Sequence, residues 1–220
     1  MPSPLAATVA AVLGLNSAGA MATPIHAQPS TPNAPAVHFY TPPDFWTVYD
    51  VGSTPTGSKT TIAIFAEGDL TQVLRDLRVA ESVNGLPQVP VQVVQVGLPS
   101  TDTSGQDEWD LDTQMSTGMA KQVSKLIVYD TTSMSDSDIA LMFNRFAAQN
   151  IAKAGSASFG ECETLAFLDG SMLADDQVFL EAAAQGQTVF ASTGKGLLHA
   201  IDTGRCAQRD PTPALKVNLT

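Results

Sequence analysis

Apolar and polar positions follow two different periods along the middle of the chain, and each change of period marks an element. Thr61-Ile62-Ala63-Ile64-Phe65-Ala66 is a short apolar, β-rich run that stops at Glu67-Gly68-Asp69, which predicts a strand and the loop after it. Asp69 can cap a helix over about 70–83, whose apolar side carries Leu70, Val73, Leu74, Leu77 and Val83, with Asn84-Gly85 as its stop. Val91 to Val96 alternates with Gln and predicts a second strand. A loop of Pro, Ser, Thr, Asp and Gly precedes a helix-compatible stretch over about 107–123. Lys125 to Asp130 predicts a strand, and the capped stretch Asp136 to Gln149 a helix with Ile139, Met142, Phe143 and Phe146 on one side. A weaker strand near 152–159, a helix over 175–185 and a strand over 188–192 complete the series. Strands alternating with helices imply βαβ units and an α/β fold with a doubly wound, mostly parallel sheet. In such sheets a site lies beyond the carboxyl ends of the strands. The loops at 67–69, 98–107, 130–135, 159–164 and 193–196 form that rim.

The N-terminal part has a different character. Residues 23–43 hold six prolines among Ser, Thr and Asn, the chemistry of a linker, which sets residues 1–22 apart as a short, helical piece. Leu5 to Leu15 has the length of a signal-peptide core, but no Lys or Arg precedes Lys59, so the basic segment of a secretory signal is missing. No stretch reaches the roughly 18–20 apolar residues that span a bilayer.

Charge narrows the possible partners. Eleven basic against 22 acidic residues give a net charge of −11, which repels phosphate backbones and anionic membranes and argues against both as partners. The acid surplus fits ordinary solubility as well as work at low pH, where self-repulsion falls. Cys162 and Cys206 are too few for a disulfide framework and badly spaced for a metal site; one bridge and two buried thiols both remain open. Gly194-Lys195 does not make a phosphate loop, because position 189 is Val189 and position 196 is Gly196.

Candidate chemistry centres on Glu108 and Asp112, four apart in Asp107-Glu108-Trp109-Asp110-Leu111-Asp112. On a helix this puts both carboxylates on one face, one turn apart. Like charges that close raise at least one pKa and share a proton, so the pair can deprotonate a hydroxyl at acidic pH. The spacing alone is equally that of a solvated helical face.

Motif order adds to this. His38-Phe39-Tyr40-Thr41-Pro42-Pro43-Asp44-Phe45-Trp46-Thr47-Val48-Tyr49 resembles the start of the mature catalytic domain in bacterial sedolisins, the serine-carboxyl peptidases related to kumamolisin and pseudomonalisin. Thr60 to Ala66 is similar to their first core strand, and Gln106 to Asp112 to their Glu-x-x-x-Asp catalytic helix. Ser158-Phe159-Gly160-Glu161-Cys162-Glu163 resembles their Ser-x-Gly substrate-binding strand, and Ala184 to Gly194 the helix and strand leading to their oxyanion aspartate. The resemblance implies a subtilisin-like fold and a secreted peptidase acting on peptides or proteins at acidic pH through a Ser-Glu-Asp triad. Under it Glu108 is the general base and Asp112 holds it and shares its proton. Ser158 and Gly160 offer backbone groups to an extended peptide, and Phe159 lines its path.

The sequence departs from the family at two places. Lys195 stands where the family has an aspartic acid beside the oxyanion; it reads either as an electrostatic substitute or as a solvated rim lysine. No Gly-Thr-Ser nucleophile motif occurs in the 220 residues. The family's calcium site lies in the same later region, so no cofactor or metal is expected of this chain. The resemblance thus divides the chain into a propeptide-end remnant with linker (1–36), the N-terminal part of a catalytic domain (37–194) and a divergent tail (195–220). The implied function is a truncated peptidase inactive by itself; the competing reading is a non-catalytic peptide-binding module. An incomplete sheet also predicts self-association through an exposed edge.

Overall fold

The computed structural model describes residues 40–161 and 163–192 together with the short strand β1 (Thr23–Pro24). The helix expected over 1–22, Cys162, Lys195 and the tail with Cys206 lie outside the described residues.

The chain then forms α1 (Pro42–Val48), β2 (Thr61–Glu67), α2 (Thr71–Val83), β3 (Val91–Val96), α3 (Gln106–Met119) and β4 (Lys125–Thr131). Next come α4 (Asp136–Gln149), β5 (Ala154–Ala157), β6 (Phe159–Gly160), α5 (Glu163–Asp169), α6 (Ser171–Ala184) and β7 (Thr188–Ala191). Helix α1 takes the last two prolines, Pro42 and Pro43, out of the expected linker. Its prolines sit in the first turn, where a missing N–H costs nothing, and Thr41 and Asp44 close a capping box in front of it. The helix expected over 175–185 is longer, starting at Ser171, and α5 precedes it. The stretch expected over 107–123 stops at Met119.

Five strands make one sheet in the order β3-β4-β2-β5-β7, and every pairing in it is parallel. The chain leaves β2 toward β3, returns through β4, then crosses to β5 and β7 on the other side of β2. That reversal puts the helices on both faces: α2 packs against α3, and α4 against α6. Central position explains why β2 and β4 read as unbroken apolar runs; Ala63 to Glu67 and Leu126 to Thr131 are all buried. Facing α4 and α6 is an aromatic cluster. Phe65 meets Phe143 and Phe146 edge-on at 4.9 and 5.3 Å, and Phe143 meets Phe179 at 4.9 Å. Gly155 on β5 has no room for a side chain, since a Cβ would lie 2.8 Å from the Phe65 ring.

The loops that position the site are clamped at the carboxyl end of β2. Gly68 takes φ +95°, and the Asp102 carbonyl passes so close that a Cβ there would be only 2.2 Å away. Asp69 N–H donates to that carbonyl, and the Asp69 carboxylate accepts from Thr71 N–H at the start of α2. A few residues on, Trp109 is 1% exposed and its indole N–H donates to the Glu67 carbonyl at 3.0 Å, fixing α3 to the end of β2.

Candidate active site

Helix α3 presents an unusual buried side. Instead of an apolar stripe it buries Glu108, Trp109, Thr113, Thr117 and Gly118. The threonines are satisfied within the helix: Thr113 Oγ1 donates to the Trp109 carbonyl at 2.8 Å and Thr117 Oγ1 to the Thr113 carbonyl at 2.7 Å. Trp109 anchors the helix, which leaves Glu108 and Asp112, one turn apart, directed toward the end of β5.

There they meet Ser158. This residue lies between β5 and β6, is 8% exposed, and its hydroxyl donates to Asp112 Oδ1 at 2.8 Å. The other oxygen, Asp112 Oδ2, is buried without a hydrogen-bond partner. Glu108 is 5% exposed. Burial, reinforced by the neighbouring Asp112 charge, pushes its carboxyl up to about 7, with the Ser158 hydroxyl acting in the opposite direction. Burial likewise lifts Asp112 to about 6 against the same hydroxyl. Two carboxyls with raised pKa values side by side form a site that holds a proton well above the ordinary carboxylate range.

Side chains alternate between the two faces of an extended strand, and this sends Phe159 away from the carboxyl pair. Its ring turns to the other face and stacks on Phe143 with ring centroids 6.0 Å apart. It is 6% exposed, so the ring belongs to the core and is not open to line a surface path. That backbone is already engaged: Thr23 pairs with Gly160 and Pro24 with Phe159 in an antiparallel ladder. An extended segment therefore lies on the edge next to the carboxyl pair. Of the residues singled out in the sequence, Glu108, Asp112 and Ser158 come together, and Phe159 and Gly160 form the adjoining edge. Lys195 is outside the described residues.

Further carboxyls, buried or partly buried, were not singled out in the sequence. Asp130, 4% exposed, is lifted to about 7 by burial and by the Glu67 charge on the neighbouring strand. Glu161 and Asp175 each rise to about 7, chiefly by burial, with Asp136 as the next cause. Glu67 and Asp130 each close an apolar strand run at its carboxyl end, a signal visible in the sequence. Glu161 and Asp175 carry no such mark. Among the described residues no group of three or more His, Cys, Asp or Glu is arranged to hold a metal ion. No described helix is long and apolar enough to cross a membrane.

Known proteins resemble the chain along most of its length. Sedolisin of Pseudomonas sp. (strain 101) is 40% identical over 162 residues, covering 70% of this chain and 28% of the relative. Xanthomonalisin of Xanthomonas sp. (strain T-22) is 33% identical, covering 96% of this chain and 27% of the relative. A solved structure of Pseudomonas sedolisin, a serine-carboxyl proteinase complexed with two molecules of pseudo-iodotyrostatin, superposes with a TM-score of 0.69 at 37% identity. The match covers 75% of this chain and 47% of the solved one. The chain thus spans under a third of the curated relatives it matches and just under half of the solved chain. No protein-family model matches it. A parallel sheet of matching fold and identity of 33% to 40% agree with one another: the chain belongs to the sedolisin family.

Proposed function

We propose that this chain carries the acid–base half of a serine-carboxyl peptidase site together with its peptide edge. In this reading a hydroxyl brought to Glu108 loses its proton to that carboxylate, and Asp112 holds Glu108 in place and shares the charge. With pKa values near 6 and 7 the pair carries one proton between those values and two below them, so in this reading Glu108 accepts a proton from the hydroxyl in the ionised fraction of the pair. Ser158 and Gly160 mark the backbone edge that receives an extended peptide by strand addition. The observation that carries the reading is the placement of the buried Glu108–Asp112 pair against Ser158, one residue from an edge that pairs with Thr23–Pro24. Secretion is part of the proposal by family resemblance.

The same reading holds that the 220 residues do not hydrolyse peptides unaided, because they contain no Gly-Thr-Ser motif. Hydrolysis of a peptide at pH 3–5 by the purified chain, abolished by Glu108→Gln, would overturn that part. A peptide-binding module without catalysis is favoured by one specific observation, the β1–β6 ladder, which is strand addition without chemistry. Calorimetric titration with an extended peptide decides between an edge that binds and one that does not. Saturable binding supports the proposed edge; its absence over the whole acidic range counts against both readings.

A further inference from the structure

Ser158 enters the sequence pattern only through its backbone, as the first residue of a substrate-binding edge. Its side chain has a separate geometry. A serine hydroxyl has one proton to donate, and here it goes to Asp112 Oδ1 at 2.8 Å. Asp112 Oδ2 is buried and unpartnered, so this hydroxyl is the hydrogen-bond donor that Asp112 has among the described residues. The two ends of the bond belong to rigid parts. Asp112 sits mid-helix on α3, which Trp109 bolts to the end of β2. Ser158 comes directly after β5, and its neighbour Phe159 is stacked into the aromatic cluster.

We infer that Ser158 is a positioning residue: its hydroxyl ties the end of β5 to Asp112 and holds the Glu108–Asp112 pair in one orientation beside the peptide edge. The inference rests on reading that pair as the acid–base centre, and it adds a control over which protonation state the pair adopts. A donor to a carboxylate stabilises the charged form. Asp112, which takes the donated proton, is stabilised in that sense against the burial that raises it. The charge that acts on Glu108 is that of Asp112, and burial accounts for the rise of Asp112 itself. Without the hydroxyl, both oxygens of Asp112 are left unpaired in a buried place, and the protonated form gains. Because Ser158 is contiguous with the edge strand β6, a peptide seated there reaches the pair through one side chain.

The test uses the full chain, labelled with 13C at Asp and Glu carboxyls, titrated by NMR from pH 3 to 9. Ser158→Ala is expected to move the titration midpoint of Asp112 upward by about one pH unit. Ser158→Thr, which keeps a hydroxyl, is expected to restore it. An unchanged Asp112 midpoint in a folded Ser158→Ala protein overturns the inference, even where its melting temperature has dropped, since a merely structural serine would do that. A second measurement needs no substitution. A hydroxyl bonded to Asp112 gives its carboxyl carbon an isotope shift between H2O and D2O, and the absence of that shift also overturns the inference. A shifted Asp112 midpoint in a chain that neither binds nor cleaves peptide would support the role of Ser158 and remove the proposed function.

Discussion

Replacing Glu108 by Gln removes one charge from a buried pair and keeps its shape. Glu108 is 5% exposed and its pKa rises from 4.5 to about 7, chiefly through burial and next through Asp112. Such a rise corresponds to roughly 3 kcal/mol of preference for the protonated side chain in the folded state. Proton counting gives the sign. Below pH 4 the carboxyl is protonated whether the chain is folded or not, and it adds no pH dependence. Between about pH 4 and 7 the unfolded chain has released its proton while the folded chain retains it, so rising pH favours unfolding. Above pH 7 the folded protein bears the whole cost of a buried charge. Glu108→Gln should therefore match the unmodified chain at pH 3.5 and exceed it by about 2–3 kcal/mol at pH 8. For a domain of this size that is roughly 4–12 °C in melting temperature. Asp112, Asp130, Glu161 and Asp175 are raised as well and slope the same way, so both proteins lose stability toward neutral pH. The difference between them reports Glu108 together with its coupling to Asp112. Urea unfolding followed by circular dichroism at the two pH values measures it. Parallel curves for the two proteins, with a constant gap at all pH values, would refute a buried, proton-holding Glu108.

Other substitutions probe the frame around the site. Gly68→Ala forces a Cβ against the Asp102 carbonyl at positive φ, and should cost at least about 2 kcal/mol in urea unfolding; a loss below about 0.5 kcal/mol would mean that the clamp at the end of β2 is loose. Arg78 Nη1 donates to Glu81 Oε2 at 2.7 Å and Nη2 to the Val89 carbonyl, while Glu81 Oε1 accepts from Val89 N–H. Arg78→Met leaves the 2% exposed Glu81 without its counter-charge and should destabilise by about 2–4 kcal/mol, checked by the same unfolding assay. Phe190 on β7 is 61% exposed, and among the described residues one side of that strand is unpaired. We propose that the chain associates through this edge: Phe190→Lys should reduce concentration-dependent association in sedimentation velocity, and identical profiles would refute it.

Much of the frame is legible in the sequence because the central strands answer to a simple rule. Between neighbours on both sides and helices on both faces, β2 and β4 hold little but apolar residues, and the runs 61–66 and 125–130 announce them. Helix α4 is read to the residue because its cap Ser135 accepts from Asp138 N–H and its apolar side packs on the sheet. By contrast α1 begins on the last two residues of a proline-rich stretch, since proline marks the first turn of a helix as readily as a linker. Helix α6 is foreshortened in the sequence pattern because much of its apolar surface, Leu173 and Leu180 included, faces outward.

The sequence by itself determines that Glu108 and Asp112 share one face of a helix, since the helical repeat alone brings positions four apart together. It also determines that Ser158 and Gly160 lie at the end of a strand. Whether that helix face is solvated or buried depends on what stands opposite it, and 46 residues separate Asp112 from the hydroxyl it meets. Only the crossing of the chain from β4 over β2 to β5 brings them within 2.8 Å. Local spacing is a property of the backbone repeat, whereas the burial that raises both carboxyls is produced by elements packing from distant parts of the chain.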